Sequence, residues 1–170
     1  AKFGWEKRKM KPRSMRDGKW LVGWGTATGL WGAWQLPATV RIVLKNDGTA
    51  HVGSATADIG PGTYTVITMI AAEYLGIAAE KVKFDLGDSD LPNAPVQGGS
   101  FTTASVGSAA YGAALEIKKK LLEYLAKDAA FAGLKPEDTE LSEGFLVVKA
   151  DAAKKIAIVE LMKKNNLPEI

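Results

Sequence analysis

Asp58-Ile59-Gly60-Pro61-Gly62-Thr63-Tyr64-Thr65 is a glycine turn that leads directly into a predicted helix. Behind the turn, apolar side chains recur with helical spacing, at Val66, Ile67, Ile70, Ala71, Tyr74 and Leu75. Gly76 follows the last of them, and glycine often ends a helix because it readily adopts the left-handed backbone conformation. The sequence therefore predicts an amphipathic helix that begins beside a turn of small residues.

Strands are predicted on both sides of this helix. Before it, apolar and charged residues alternate over 40–45, and Asn46-Asp47-Gly48 is a strong turn signal. These residues predict a β-hairpin whose return strand covers residues 50–57. After the helix, residues 81–86 alternate as another strand, and residues 20–29 are predicted to form the first strand of the chain.

A second glycine turn, Gly98-Gly99-Ser100-Phe101-Thr102-Thr103-Ala104-Ser105, opens a long helix predicted over residues 101–127. A short strand follows at residues 145–148, and Asp151 is predicted to cap a last helix that ends near Lys164. Only one connection in this order is a plain strand–helix–strand crossover. The sequence therefore predicts an α+β fold, with a mixed sheet that includes a β-hairpin and about three helices.

The composition excludes several kinds of chemistry. The 170 residues form about one domain's length and include no Cys, which excludes disulfides, thiolate metal sites, iron–sulfur ligation and a Cys nucleophile. The one histidine, His51, lies within a predicted strand and is interpreted as a surface residue rather than a catalyst. Asp85, Asp88 and Asp90 lack the spacing of a calcium loop, so capping of turns is the favoured role.

Charge divides the chain into a basic N-terminal arm, residues 1–19, and a body, residues 20–170. The arm has eight Lys or Arg residues against Glu6 and Asp17. A basic arm can contact nucleic acid or an anionic membrane, but it can equally be a solvated linker or dock on another domain. No stacking or zinc-finger motif accompanies it, and no apolar run approaches a membrane span. We therefore expect neither nucleic acid nor a membrane as a partner.

Both glycine turns predict the same kind of binding site. The first N–H groups of a helix lack partners within the helix, and together with the helix dipole they attract anions. Glycines let a ligand approach the backbone, and hydroxyls add donors. Neither turn has the pattern of a Walker loop or of a Gly-x-Gly-x-x-Gly dinucleotide site. We expect the two turns to lie side by side; the alternative at each is an ordinary capped helix.

Six motifs, in this order, resemble the molybdenum-cofactor-binding large subunit of the xanthine dehydrogenase/aldehyde oxidase family. They are Val22-Gly23-Trp24-Gly25-Thr26-Ala27, Asn46-Asp47-Gly48-Thr49-Ala50, the first glycine turn, Ala71-Ala72-Glu73-Tyr74-Leu75-Gly76, Leu86-Gly87-Asp88-Ser89 and the second glycine turn. Each motif alone is weak, but their order and spacing together are specific. The resemblance implies that residues 20–170 form part of a molybdenum-cofactor-binding domain, one lobe of it.

The resemblance also implies the cofactor and the residues that hold it. The cofactor is molybdopterin, in bacteria usually as its cytosine dinucleotide. The implied cofactor-binding residues are Gly60, Pro61, Gly62, Thr63, Gly99, Ser100, Thr102, Thr103, Ala104 and Ser105. Many relatives have Gln where this chain has Pro61, so a side-chain contact near the metal is lost or supplied elsewhere. The resemblance assigns no catalytic residue and no metal ligand to this chain.

The family's catalytic base, a glutamate, lies downstream of what this chain matches, so the resemblance implies a fragment. The parent enzyme would oxidise an aldehyde or an N-heterocycle with oxygen from water. We expect the fragment alone to be inactive and without cofactor, and to expose some of Trp24, Trp31 and Trp34. The implied partners are the remainder of the large subunit and separate iron–sulfur and FAD subunits, in the cytoplasm or alternatively the periplasm. The competing hypothesis is a non-enzymatic anion-binding or interaction module.

Overall fold

Two compact units make up the chain, which is described here from a computed structural model over residues 2–170. The first unit extends to Gly32 and contains a 3-10 turn, Trp5–Lys7, and a two-stranded ribbon. The ribbon pairs β1, Arg16–Asp17, with β2, Trp20–Leu21. The predicted strand over residues 20–29 is wrong beyond Leu21, because no strand pairs with its glycine-rich remainder. The second unit, residues 33–170, carries the predicted sheet and helices.

A three-stranded mixed sheet forms the centre of the second unit. Strands β3, Arg41–Leu44, and β4, Ala50–Gly53, form the predicted antiparallel hairpin, and β5, Val82–Asp85, lies parallel to β4. A parallel pair needs a crossover, which is provided by helix α1, Thr63–Leu75. The return strand ends at Gly53 rather than at residue 57, and the chain then turns toward α1.

Helix α2, Thr102–Leu125, packs alongside α1, and both helices run in the same direction. The direction follows from two contacts: Gly107 lies against Ile70, and further along the ring centroids of Tyr74 and Tyr111 are 4.5 Å apart. The small residues of the first half of α2 permit this close packing. Helices and sheet share one core, whose most completely buried members include Leu44, Val52, Ile67, Leu75, Val106 and Leu121.

A second sheet follows α2 and is entirely antiparallel. It contains β6, Thr139–Ser142, β7, Phe145–Val148, and β8, Asp151–Ala157, and it leads into helix α3, Ile158–Lys164. The prediction of a helix beginning at Asp151 is therefore wrong over its first seven residues. Pairing of β8 with β7 overrides the helical propensity of Ala and Lys in this segment.

Gly76 joins α1 to the second sheet. It ends α1 with φ +63°, as predicted, and its carbonyl accepts the N–H of Gly144 at 2.6 Å. A Cβ at this position would lie 2.3 Å from the carbonyl carbon of Leu141. None of the helices described is long and apolar enough to cross a membrane.

Candidate functional site

The first turns of α1 and α2 lie next to each other, which confirms the prediction that the two glycine turns come together. The side chain of Gln97 connects them: its Nε2 donates to Thr63 Oγ1 at 3.5 Å, and its Oε1 accepts a hydrogen bond from the Thr102 hydroxyl. Because the helices are parallel, their positive ends are at the same end of the pair. This end of the helix pair is the candidate site.

The first glycine turn carries its own carboxylate. Asp58 accepts the N–H groups of Gly60 at 2.9 Å, Gly62 at 3.3 Å and Tyr64 at 3.3 Å. The N–H of Gly60, followed by those of Tyr64 and Gly62, holds the pKa of Asp58 below its usual value. The expectation of free N–H groups at this turn is therefore wrong, since an internal anion already occupies them.

The second glycine turn has three open donors at the start of α2. Ser105 makes the first intrahelical bond of α2, to the carbonyl of Phe101 at 2.9 Å. Within residues 2–170, no hydrogen bond is made by the N–H groups of Thr102, Thr103 or Ala104. Positive φ angles at Gly99 and Ser100 bring the chain into this turn. Open N–H groups at the start of a 24-residue helix are the arrangement that binds anions.

The hydroxyl groups of the second turn divide into two pairs. Thr102 and Ser105 are buried and bonded within the protein, Thr102 to Gln97 and Ser105 by accepting the N–H of Leu36 at 3.0 Å. Ser100 and Thr103 are exposed at the surface of the turn. Ser100 and Thr103 are therefore the hydroxyls that can reach a ligand, whereas the buried pair holds the turn in place.

Cavities do not by themselves identify this site. The largest one described has a volume of about 650 Å³ and lies at the opposite end of α1, against Gly76 and the turn between β6 and β7. A smaller one of about 320 Å³ borders Thr56, Val96 and Gln97 beside the candidate site. We favour the end of the helix pair, because its open N–H groups supply a specific chemistry, the binding of anions.

No cluster that could hold a metal ion occurs in the described part of the chain. Residues 2–170 contain no group of three or more His, Asp or Glu side chains placed to hold a metal ion. Asp88 accepts the N–H of Asp90 at 2.9 Å, which confirms turn capping, and Asp85 pairs with Lys83 at 2.8 Å. His51 is half-buried on β4, as predicted for a surface residue of a strand.

The early tryptophans are largely exposed, as predicted. Trp31 is 71% exposed and Trp34 is 67% exposed, whereas Trp24 is half-buried. Within the first unit, the Trp24 ring lies 5.2 Å from that of Phe3, measured between centroids, and Arg8 donates to the Trp24 carbonyl at 2.9 Å. Large exposed apolar side chains are typical of surfaces that contact other protein segments.

Comparison with known families decides the relationship. The family model described as "Molybdopterin cofactor-binding domain" matches residues 1–169. The chain belongs to this family. The resemblance found in the sequence is thereby confirmed.

Two relatives from Escherichia coli K12 show how much of a longer protein this chain represents. It is 34% identical over 143 residues to the aldehyde oxidoreductase molybdenum-binding subunit PaoC, covering 84% of this chain and 19% of that protein. It is 27% identical over 131 residues to the putative xanthine dehydrogenase molybdenum-binding subunit XdhA, covering 73% and 17%. The chain therefore spans about a fifth of the length of these relatives.

Solved structures with the same fold confirm the α+β class. The Cu,Mo-CO dehydrogenase structure aligns with a TM-score of 0.62 and 26% identity over 74% of this chain and 16% of that one. Quinoline 2-oxidoreductase from Pseudomonas putida 86 aligns with the same TM-score and 24% identity, over 73% and 15%. In both solved structures, the matching fold is one part of a much longer chain.

Sequence reasoning missed Asp58 and Gln97. Asp58 stands two residues before the first glycine of the turn, and an Asp at this spacing commonly accepts backbone N–H groups two residues on. That signal was available. Gln97 has no comparable local signal, because its partners Thr56, Thr63 and Thr102 come from three different segments.

Proposed function

We propose that this chain is part of the large subunit of a molybdenum hydroxylase and helps to hold its molybdopterin cofactor. The observation that carries the proposal is the open first turn of α2, beside the start of α1, in a chain of the molybdopterin-binding family. The relatives described above are oxidoreductase and dehydrogenase subunits, which favours an enzyme over a non-enzymatic anion-binding module.

The residues present fit an anionic cofactor on the side of α2. The N–H groups of Thr102, Thr103 and Ala104 and the exposed hydroxyls of Ser100 and Thr103 would bind phosphate or pterin oxygens. Gly99 allows the backbone to approach the ligand closely. Ser105 and Thr102 contribute by fixing the turn, through Leu36 and Gln97.

On the side of α1, Gly60, Pro61, Gly62 and Thr63 would form a wall of the same site. Asp58 already accepts hydrogen bonds from the backbone N–H groups of this turn. The turn therefore offers shape and rigidity rather than open donors for an anion. Pro61 is exposed and has no polar side chain to present. We therefore assign the electrostatic part of cofactor binding to α2 and the steric part to α1.

The bound cofactor would supply the redox chemistry, and the residues of this chain would bind and orient it. The substrate class we propose for the parent enzyme is an aldehyde or an N-heterocycle. We further propose the cytosine dinucleotide form of the cofactor, separate iron–sulfur and FAD subunits as partners, and the cytoplasm as location, with the periplasm as the alternative.

A charge placed on the first turn of α2 separates cofactor binding from folding. Thr103→Asp in the full-length parent should leave the melting temperature unchanged or raise it, because a carboxylate in a first turn stabilises a helix. The same carboxylate would repel an anionic ligand, and we expect molybdenum per protein to fall by about tenfold. Ser108→Asp is the matched control, since it adds the same charge on an exposed α2 position beyond the first turn.

Molybdenum content, organic cofactor release and melting temperature are measured on the same preparations. Normal molybdenum content in Thr103→Asp would contradict the assignment of α2. Equal losses in both variants would indicate a general effect of charge and would contradict it as well. A wild-type parent that contains no molybdenum would overturn the proposed function itself.

A further inference from the structure

We propose that Gln97 is a positioning residue that couples the two helix starts, so that the order of one turn depends on the other. The effect of this coupling on cofactor binding rests on the proposed function, but the coupling itself is a property of this chain. Three hydroxyls from three segments meet at the Gln97 side chain: Thr56 after β4, Thr63 on α1 and Thr102 on α2.

The three threonines are buried, with exposed fractions of 4% for Thr56, 5% for Thr63 and 7% for Thr102. Buried hydroxyls need hydrogen-bond partners, and Gln97 provides them. Its Oε1 accepts from Thr56 at 3.4 Å and from Thr102, while its Nε2 donates to Thr63 at 3.5 Å. Removing this one amide would leave hydroxyls of both helix starts without their partner.

No other Asn or Gln side chain in residues 2–170 hydrogen-bonds to either helix start. Pro61, within the first turn, has no amide. Gln97 therefore places between the two turns a side-chain amide, which the first turn itself lacks. A glutamine suits this place because one side-chain amide both donates and accepts.

The loop that carries Gln97 is itself tied down. Between β5 and α2, the Asn93 carbonyl accepts the N–H of Thr39 at 2.8 Å, and the Pro92 carbonyl accepts that of Ala55 at 2.7 Å. Gly87 donates to the carbonyl of Thr56 at 2.9 Å. A side chain on an anchored loop can transmit a displacement between two helices, whereas one on a free loop would follow whichever helix moved.

Hydrogen exchange at two amides tests the coupling without any ligand. The N–H of Val66 makes the first intrahelical bond of α1, to Gly62 at 3.0 Å, and that of Ser105 makes the first bond of α2. In Gln97→Ala, both should exchange about fivefold faster or more, as expected when hydrogen bonds that hold a helix start are lost. Asn165→Ala is the control, since Asn165 bonds only to the Leu161 carbonyl at the end of α3.

Two milder variants test the same coupling if Gln97→Ala does not fold. Thr63→Val on α1 should accelerate exchange at Ser105, and Thr102→Val on α2 should accelerate exchange at Val66, because coupling between sites is reciprocal. A purely local role would move only the amide on the substituted helix, and that result would overturn the proposal. Unchanged exchange at both amides in Gln97→Ala would overturn it equally.

The effect of the coupling on cofactor binding is measured in the full-length parent protein. Gln97→Ala should lower molybdenum per protein several-fold, whereas Asn165→Ala should not. Faster exchange at both turns with normal molybdenum content would overturn the link between coupling and cofactor. If the wild-type parent held no molybdenum, the proposed function would fail, while the exchange experiment would still decide whether Gln97 couples the helix starts.

Discussion

Asp58 is the residue whose chemistry most changes the view of the site. Three backbone N–H groups donate to its carboxylate, so the first glycine turn is built around an internal anion. An external anion and Asp58 would compete for the same donors. The two turns look equivalent in the sequence, but the structure distinguishes them. The N–H groups of the first turn are bonded to Asp58, whereas three N–H groups at the start of α2 are open.

Asp58→Asn should destabilise the chain in a pH-dependent way. Hydrogen bonds from the backbone lower the pKa of Asp58, so its stabilising contribution is present above the unfolded-state pKa, near ~4. That contribution is lost as the pH falls through the lower pKa of the folded state. The melting temperature of the variant should lie below that of the wild type at pH 7, and the two should converge on acidification.

Asp88→Asn serves as the control for this experiment, because the Asp88 carboxylate accepts one backbone N–H, from Asp90, where that of Asp58 accepts three. Its effect at pH 7 should be smaller. Equal melting temperatures of wild type and Asp58→Asn at pH 7, or a difference that grows toward acidic pH, would contradict the role given to Asp58. Thermal unfolding followed by circular dichroism provides the measurement.

At the scale of the elements, the end of α1 fixes the second sheet. Gly76→Ala would place a Cβ 2.3 Å from the backbone of Leu141 and force a residue with φ +63° to carry a side chain. Backbone cannot yield as a flexible side chain does, so we expect a loss of about 2–4 kcal/mol of unfolding free energy. Denaturant unfolding of the 170-residue chain measures it.

Gly112→Ala on α2 is the opposite case and the matched control. A Cβ there would meet no atom within 4 Å, and the residue lies inside a regular helix. Alanine should therefore stabilise the chain by up to ~1 kcal/mol. If both substitutions changed the free energy of unfolding in the same direction, the structural distinction between these two glycines would be wrong.

Elements with a strong local pattern were predictable from the sequence. In the hairpin of β3 and β4, apolar and charged residues alternate, and Asp47 marks the turn, where it accepts the N–H of Thr49 at 2.9 Å. Helices α1 and α2 have clear apolar faces. Strand β6 had an available signal, the two-residue turn Glu143-Gly144, whose residues have φ +50° and +81°.

Strand β8 was less predictable, because it forms by pairing with β7 rather than from its own local sequence preference. The residues Ala152-Ala153-Lys154-Lys155 favour a helix locally. In the folded chain Ile156 pairs with Leu146, and the Lys155 ammonium lies 4.6 Å from the centroid of the Phe145 ring. Gln97 is the same case at the candidate site, because its partners Thr56 and Thr63 lie 41 and 34 residues away in the sequence.

At the level of the whole molecule, the chain matches about a fifth of the length of its relatives, and we propose that it helps to hold their kind of cofactor. The division into a basic arm, residues 1–19, and a domain, residues 20–170, stays a prediction. In the structure, the boundary between the two compact units falls between residues 32 and 33. The core lies within the second unit, from Ile42 to Met162. The residues named at the candidate site belong to this unit.

The 170-residue chain alone should show no aldehyde or purine oxidation, even with added cofactor. No residue of the open turn of α2 carries a carboxylate or imidazole, and the backbone donors that lower the pKa of Asp58 make its carboxylate a weaker base. A general base in reach of the substrate is therefore lacking in the described part of the chain. Turnover above a heat-inactivated sample would contradict this prediction.

The most direct test of the central claim is an experimental structure of the full-length parent with its cofactor bound. We predict an anionic or polar cofactor oxygen within about 2.7–3.2 Å of the N–H groups of Thr102, Thr103 or Ala104. We also predict that Asp58 still accepts the N–H groups of the first turn. A cofactor bound away from the start of α2, or one that displaces Asp58 from the first turn, would contradict the account.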